Sequence, residues 1–131
     1  MKILNNQARA WIKKYTEENY NKIVVFSGKL LWNYQCHRNC VHTAIEESSD
    51  KIAVCIYFDG NFPIIHFLNI DKNNNFVDNT VGHWSSQYPY YFLKYIESKD
   101  FFNVDNIFGD IRKEIGNKMP WYLRMFSNYR G

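Results

Sequence analysis

Hydrophobic and polar residues follow two different periods along this chain, and the places where the period changes divide it into elements. Between residues 6 and 19, Ala8, Trp11, Ile12 and Tyr15 fall on one face and Lys and Glu on the others, which predicts an amphipathic helix. Residues 23–26 form a short apolar run closed by Ser27-Gly28, a strand or buried extended segment. Leu30-Leu31-Trp32 leads into a second helical pattern over 36–47. There Cys36, Cys40 and Ala44 recur every fourth residue, with Val41 and Ile45 beside them, until Ser48-Ser49-Asp50 ends it.

From residue 51 the pattern turns to strands. KIAVCIYF at 51–58 is β-rich and is followed by the turn signal Asp59-Gly60. A second strand is expected at 63–70, a polar turn at 71–75 and a third strand at 76–80, together an antiparallel meander. The remainder reads as helical. Residues 90–98 are aromatic and apolar on one face, and 104–117 carry Ile107, Phe108, Ile111 and Ile115 at helical spacing until Pro120 stops the element. The last segment either docks by Trp121, Leu123 and Phe126 or frays. No internal repeat or low-complexity linker interrupts the chain. The expected architecture is one α+β domain over residues 1–131, a small antiparallel sheet flanked by helices.

Composition narrows the function classes. A chain of 131 residues can bury a core without disulfides or metals, and 46% hydrophobic with 22% charged residues is ordinary for a water-soluble protein. The aromatic share, 18%, is unusual, and large rings both fill a core and leave contact surface for a protein or peptide partner. The net charge of +3 is spread along the chain without a long basic run, which argues against nucleic-acid binding. The opening MKILNNQARAWIKKY lacks the apolar stretch and small-residue cleavage site of a signal peptide, and no apolar run approaches the roughly 20 residues that cross a bilayer. Three cysteines, an odd number, point to free thiols in a reducing compartment, so the cytoplasm is expected.

The candidate chemistry lies in three side chains. Cys36 opens the second helical pattern, His66 lies in the second expected strand, and Asp78 lies in the third. Pairing Ile70 with Phe76 across the 71–75 turn puts His66 and Asp78 diagonally on one face, within side-chain reach. A slip of one residue would bring Asn79 round in place of Asp78, and Asp78 is the preferred partner. A thiol is a weak nucleophile until a base takes its proton, and the base works best when a third group fixes its tautomer. At a helix start the thiol also meets backbone N–H groups and the positive end of the dipole, which favour a thiolate and can hold an oxyanion. Gln35 is a candidate second oxyanion donor, and Trp84, in Gly82-His83-Trp84, a candidate wall of the substrate cleft.

The order of these residues resembles the transglutaminase-like and papain-like cysteine hydrolases. His66-Phe67-Leu68-Asn69-Ile70 followed by Phe76-Val77-Asp78-Asn79-Thr80 is similar to the transglutaminase-like strand pair, in which His begins one strand and Asp-x-Thr ends the next. The resemblance covers residues 35–80 and implies Cys36 as nucleophile, His66 as base and Asp78 as orienting group. It lacks a Gly immediately before Cys36 and an aromatic residue immediately after it. The implied activity is acyl transfer on a protein or peptide amide, as a thiol peptidase, amidase, or deamidase or transglutaminase.

No metal or cofactor is expected. Cys36, His37, Cys40 and His42 crowd together, but C-x3-C-x-H is not a zinc spacing and no second pair exists. Cys40 and Cys55 read as core residues, and His37 and His42 as exposed helix positions. The competing reading is a non-enzymatic intracellular module that binds one protein through exposed aromatics. Oligomeric state is not legible in the sequence.

Overall fold

The turn signals after residue 50 set the strand pairing. The computed structural model describes residues 2–31 and 35–126, apart from the side chains of residues 2–4, 83, 84 and 126. Trp32 therefore lies outside the described residues, as do the side chains of Trp84 and Phe126. The elements run α1 (Lys2–Asn19), β1 (Lys22–Ile23), β2 (Val25–Ser27), α2 (Cys36–Glu46), β3 (Lys51–Asp59), β4 (Phe62–Ile70), β5 (Phe76–Asp78), β6 (Tyr90–Glu97), α3 (Val104–Lys118) and α4 (Trp121–Phe126). A short 3-10 helix, Gly82–Gln87, joins β5 to β6.

The architecture is α+β, but the sheet is neither small nor wholly antiparallel. It has six strands in the order β1-β6-β3-β4-β5-β2, and β2 runs parallel to β5. The expected meander β3-β4-β5 is present, with Ile70 opposite Phe76. Residues 90–97 overturn the expected helix, because they form β6 between β1 and β3. Its residues contribute to both cores: Tyr91 and Ile96 pack on one side, Tyr90 and Phe92 on the other. A strand covered on both faces reads as a continuous apolar run, which periodicity alone does not separate from a helix. Aromatic and β-branched side chains settle the matter in favour of a strand.

Only Val24 separates β1 from β2, yet these strands lie at opposite edges of the sheet. Cα atoms of Ile23 and Val25 can be no more than about 7 Å apart along the chain. The two edges must therefore meet, and the sheet curls nearly into a barrel. A bulge between Val54 and Cys55, where β3 shifts register against β6, adds to the bend.

Two cores result. Inside the curl, Ala53, Cys55, Leu68, Ile70 and Tyr90 pack with Tyr57, Phe76 and Phe92. On the outer face Ile52, Val54, Ile56 and Phe67 meet Ala8 and Ile12 of α1, Cys40 and Ala44 of α2, and Ile111 and Ile115 of α3. Among the described residues no helix is long and apolar enough to cross a membrane.

α2 is held at both ends. Its C-terminus closes with Ser48 at a left-handed φ of 54°, and the Ser49 N–H returns 2.8 Å to the Ala44 carbonyl. Along its length, Asn69 Nδ2 donates 2.9 Å to the Cys40 carbonyl and Asn39 Nδ2 donates 2.9 Å to Thr80 Oγ1. At its start the His37 ring donates to the Phe101 carbonyl and stands edge-on to Phe67. His37 is thus docked rather than exposed, whereas His42 is exposed beside Glu46 as expected.

β2 approaches β5 so closely that residue 28 has no room for a side chain. A Cβ on Gly28 would lie 2.2 Å from Asn79 Oδ1 and 2.8 Å from the Asp78 carbonyl oxygen. Because Asn79 is itself hydrogen-bonded and the second atom is backbone, neither gives way cheaply. Gly28→Ala is expected to lower stability by about 2 kcal/mol or more, measured by urea denaturation. A loss below about 0.5 kcal/mol would contradict this packing.

Candidate active site

Asp78 is completely buried, and every hydrogen bond to it comes from a defined place in the fold. Its Oδ2 accepts from His66 Nε2 at 2.8 Å and from the Tyr90 hydroxyl at 2.7 Å. Its Oδ1 accepts from the Thr80 and Val81 N–H groups at 2.9 and 2.8 Å. The β4–β5 ladder has the expected register and ends at the Asn69–Val77 pair. The chain turns after Asp78, and its carboxylate caps that turn. The anticipated meeting of His66 and Asp78 occurs.

This environment sets the charge state of the pair. Burial raises the Asp78 pKa, but the hydrogen bond and charge of His66, with the two backbone donors, outweigh it and hold the carboxyl below its ordinary range. Burial would likewise depress the His66 pKa. The hydrogen bonds to Asp78 and Cys36, with their charges, reverse that and push it up to about 9. The ring is only 3% exposed, so bulk water screens these interactions weakly. Tyr57 stands edge-on to the imidazole at 5.1 Å and 90°, which limits its rotation.

Cys36 is the first residue of α2 and is partly exposed. It lies near enough to His66 to contribute, after Asp78, to the raised pKa of the ring. The His66 Nε2 is committed to Asp78, which leaves Nδ1 for exchange with the sulfur. The other thiols differ. Cys40 and Cys55 are fully buried, and burial pushes both well above the ordinary thiol value. Cys55 Sγ contacts the His66 carbonyl at 3.5 Å, beneath the ring.

The remaining candidates fare differently. Asn79 does not orient His66. It donates 2.7 Å to Asn69 Oδ1 and accepts from the Lys29 N–H at 3.1 Å, away from the imidazole. Gln35 is the exposed N-cap residue of α2 and makes no side-chain cap bond; its carbonyl accepts the first helical bond, from Asn39 N–H at 2.8 Å. It borders a cavity of about 300 Å³ with Lys29, Arg38 and Glu46. Tyr90 and Tyr57 are site residues that the sequence reading missed. Recognising the Tyr90-Tyr91-Phe92 run as a strand would have brought Tyr90 toward Asp78. Comparison with known protein families, characterised proteins and solved structures finds no match for this chain.

The raised His66 pKa predicts a pH dependence of stability. The folded value lies above the unfolded one, near 6.5, so the stabilisation is complete below about pH 6.5 and is lost as pH rises through about 9. The interval corresponds to an amount on the order of 3 kcal/mol. Titration of the His66 ring by NMR is expected to give a midpoint near 9, and Asp78→Asn is expected to lower it by about two units. A wild-type midpoint near 6.5 would contradict the assignment.

Tyr90→Phe leaves Oδ2 of Asp78 with a single donor. It is expected to cost about 1–2 kcal/mol in chemical denaturation and to move the His66 midpoint upward, because a less satisfied carboxylate attracts the imidazolium more strongly. A downward movement would show that the hydroxyl supports the ion pair instead.

Proposed function

We propose that this chain is a cysteine-dependent acyl-transfer enzyme acting on an amide of a protein or peptide. One arrangement carries the reading: a buried histidine with one ring nitrogen committed to a carboxylate lies beside a partly exposed cysteine at a helix start. Cys36 is the nucleophile, His66 the base and Asp78 the group that fixes the tautomer. A Cys at a helix start with His and Asp on successive strands is the arrangement that the resemblance to transglutaminase-like and papain-like hydrolases implies, and it supports this reading.

In this mechanism the Cys36 proton already rests on His66 Nδ1 before substrate arrives, in keeping with a ring that titrates near 9, and the sulfur attacks the substrate carbonyl carbon. The carbonyl electron pair moves to oxygen. N–H groups in the first turn of α2, which have no carbonyl four residues back within the helix, are placed to receive that oxyanion. The imidazolium returns its proton to the departing amine as the C–N bond breaks, leaving a thioester on Cys36. Water or a second amine, deprotonated by His66, then releases the acyl group. Hydrolysis, deamidation and transfer share the first half and differ only in this acceptor. Three unpaired thiols suit a reducing compartment, so the proposed setting is the cytoplasm.

A second reading has its own observation. Trp121, Tyr122 and Met125 of α4 are exposed, and so is Phe102 at 76%, apolar side chains of the kind a binding module uses. Iodoacetamide labelling across pH, read by mass spectrometry, separates the two. The enzyme reading expects Cys36 to be alkylated roughly 100-fold faster than Cys40 or Cys55, and His66→Ala to slow it about tenfold or more at pH 7. If Cys36 reacts no faster than a free model thiol and ignores His66→Ala, the acyl-transfer reading is lost.

A further inference from the structure

A groove of about 600 Å³ lies on the helix-covered face of β4, a size typical of sites for small molecules. Its walls are aliphatic: Ile12 of α1, Ile56 of β3, Ile65 of β4, and Ile111, Ile115 and Met119 of α3. Most of these side chains are largely covered by one another as part of the outer core, so the floor of the groove is the edge of that core. From β4 it is lined by Pro63, Ile64 and Ile65, and none of Cys36, His66 and Asp78 borders it. The groove is therefore separate from the cysteine–histidine site.

One charged side chain borders it. Arg112 of α3 stands with its guanidinium 5.8 Å from the centre of the Phe108 ring, which also lines the groove. Among the described residues no carboxylate lies within ion-pairing distance of Arg112. A mainly aliphatic trough with a single cation at its rim is complementary to a molecule with an apolar tail and one negative head. A guanidinium favours a carboxylate in particular, because its paired N–H groups match two oxygens.

We propose that this groove binds a free, single-chain aliphatic carboxylate, with the chain along the isoleucine walls and the head group on Arg112. The occupant is a monomeric amphiphile rather than a bilayer: the apolar surface is concave and recessed, whereas a membrane-binding face is convex and presents its side chains outward.

Dodecanoate, below its micelle concentration, is the probe, titrated into the intact chain by calorimetry with NMR of the isoleucine methyls. Expected are saturable one-to-one binding, methyl shifts centred on Ile12, Ile111 and Ile115, and roughly tenfold tighter binding for each two methylenes added from octanoate. Arg112→Glu, at an exposed position, is expected to weaken dodecanoate at least tenfold while leaving neutral dodecanol unchanged. Four results would overturn the proposal: no saturable binding, equal binding of dodecyltrimethylammonium, methyl shifts confined elsewhere, or indifference to Arg112→Glu. Preference for phosphatidylglycerol vesicles over monomeric dodecanoate would assign the face to a lipid surface and equally overturn it.

Discussion

A carboxylate sealed from water is the constraint around which the curled sheet is organised. An ionised Asp78 in this interior is tolerable only if donors replace the water it has lost. Those donors come from β4 through His66, from β6 through Tyr90, and from the turn after β5. The Asp78 backbone also takes part, since its carbonyl accepts the Gly28 N–H at 2.9 Å as the chain leaves β2. One residue thereby ties together strands far apart in sequence. A register error in any of them would strand a buried charge, so the group that orients the imidazole also selects the fold.

This double role ties stability to chemistry. The ion pair contributes most where His66 is protonated, and in the proposed reaction that protonated form gives a proton to the leaving group. The inner surface around it is mostly aromatic. Tyr57, Tyr88 and Tyr90 lie ring to ring, and Tyr57 and Tyr90 both border the imidazole. Rings supply bulk and rigidity with few polar atoms, and the Tyr90 hydroxyl is spent on Asp78. Much of the high aromatic share of the chain is accounted for by this lining and by the outer core.

The sequence made the local elements readable and the long-range ones obscure. Asp59-Gly60 and the 71–75 turn placed β3, β4 and the start of β5, and the recurrence of Cys36, Cys40 and Ala44 placed α2. The Ile70–Phe76 pairing followed from turn length alone, which brought His66 to Asp78 rather than to Asn79. Two things were hidden. β6 carries apolar residues on both faces, so its spacing fitted a helix, and Tyr90 was lost with it. The parallel pairing of β2 with β5 leaves no local mark, because it depends on Gly28 permitting a close approach between segments some fifty residues apart. Whether Cys36 would meet His66 depended on how α2 crosses the sheet. That is set by Asn39, Asn69 and His37, polar residues with no periodic signal.

The splitting of one short stretch between the two rims of the sheet has a further consequence. β1 and β2 contribute only two and three residues. β1 pairs with only Tyr90 and Tyr91 of β6, and β5 with only Asn69 and Ile70 of β4. Residues 92–97 and 62–68 thus have no strand partner on that side among the described residues. Unpaired ladders are the template for chain-to-chain strand addition and fibril growth. The selvedge of this sheet is therefore left open along most of two of its longest strands, and another copy has a place to knit onto there.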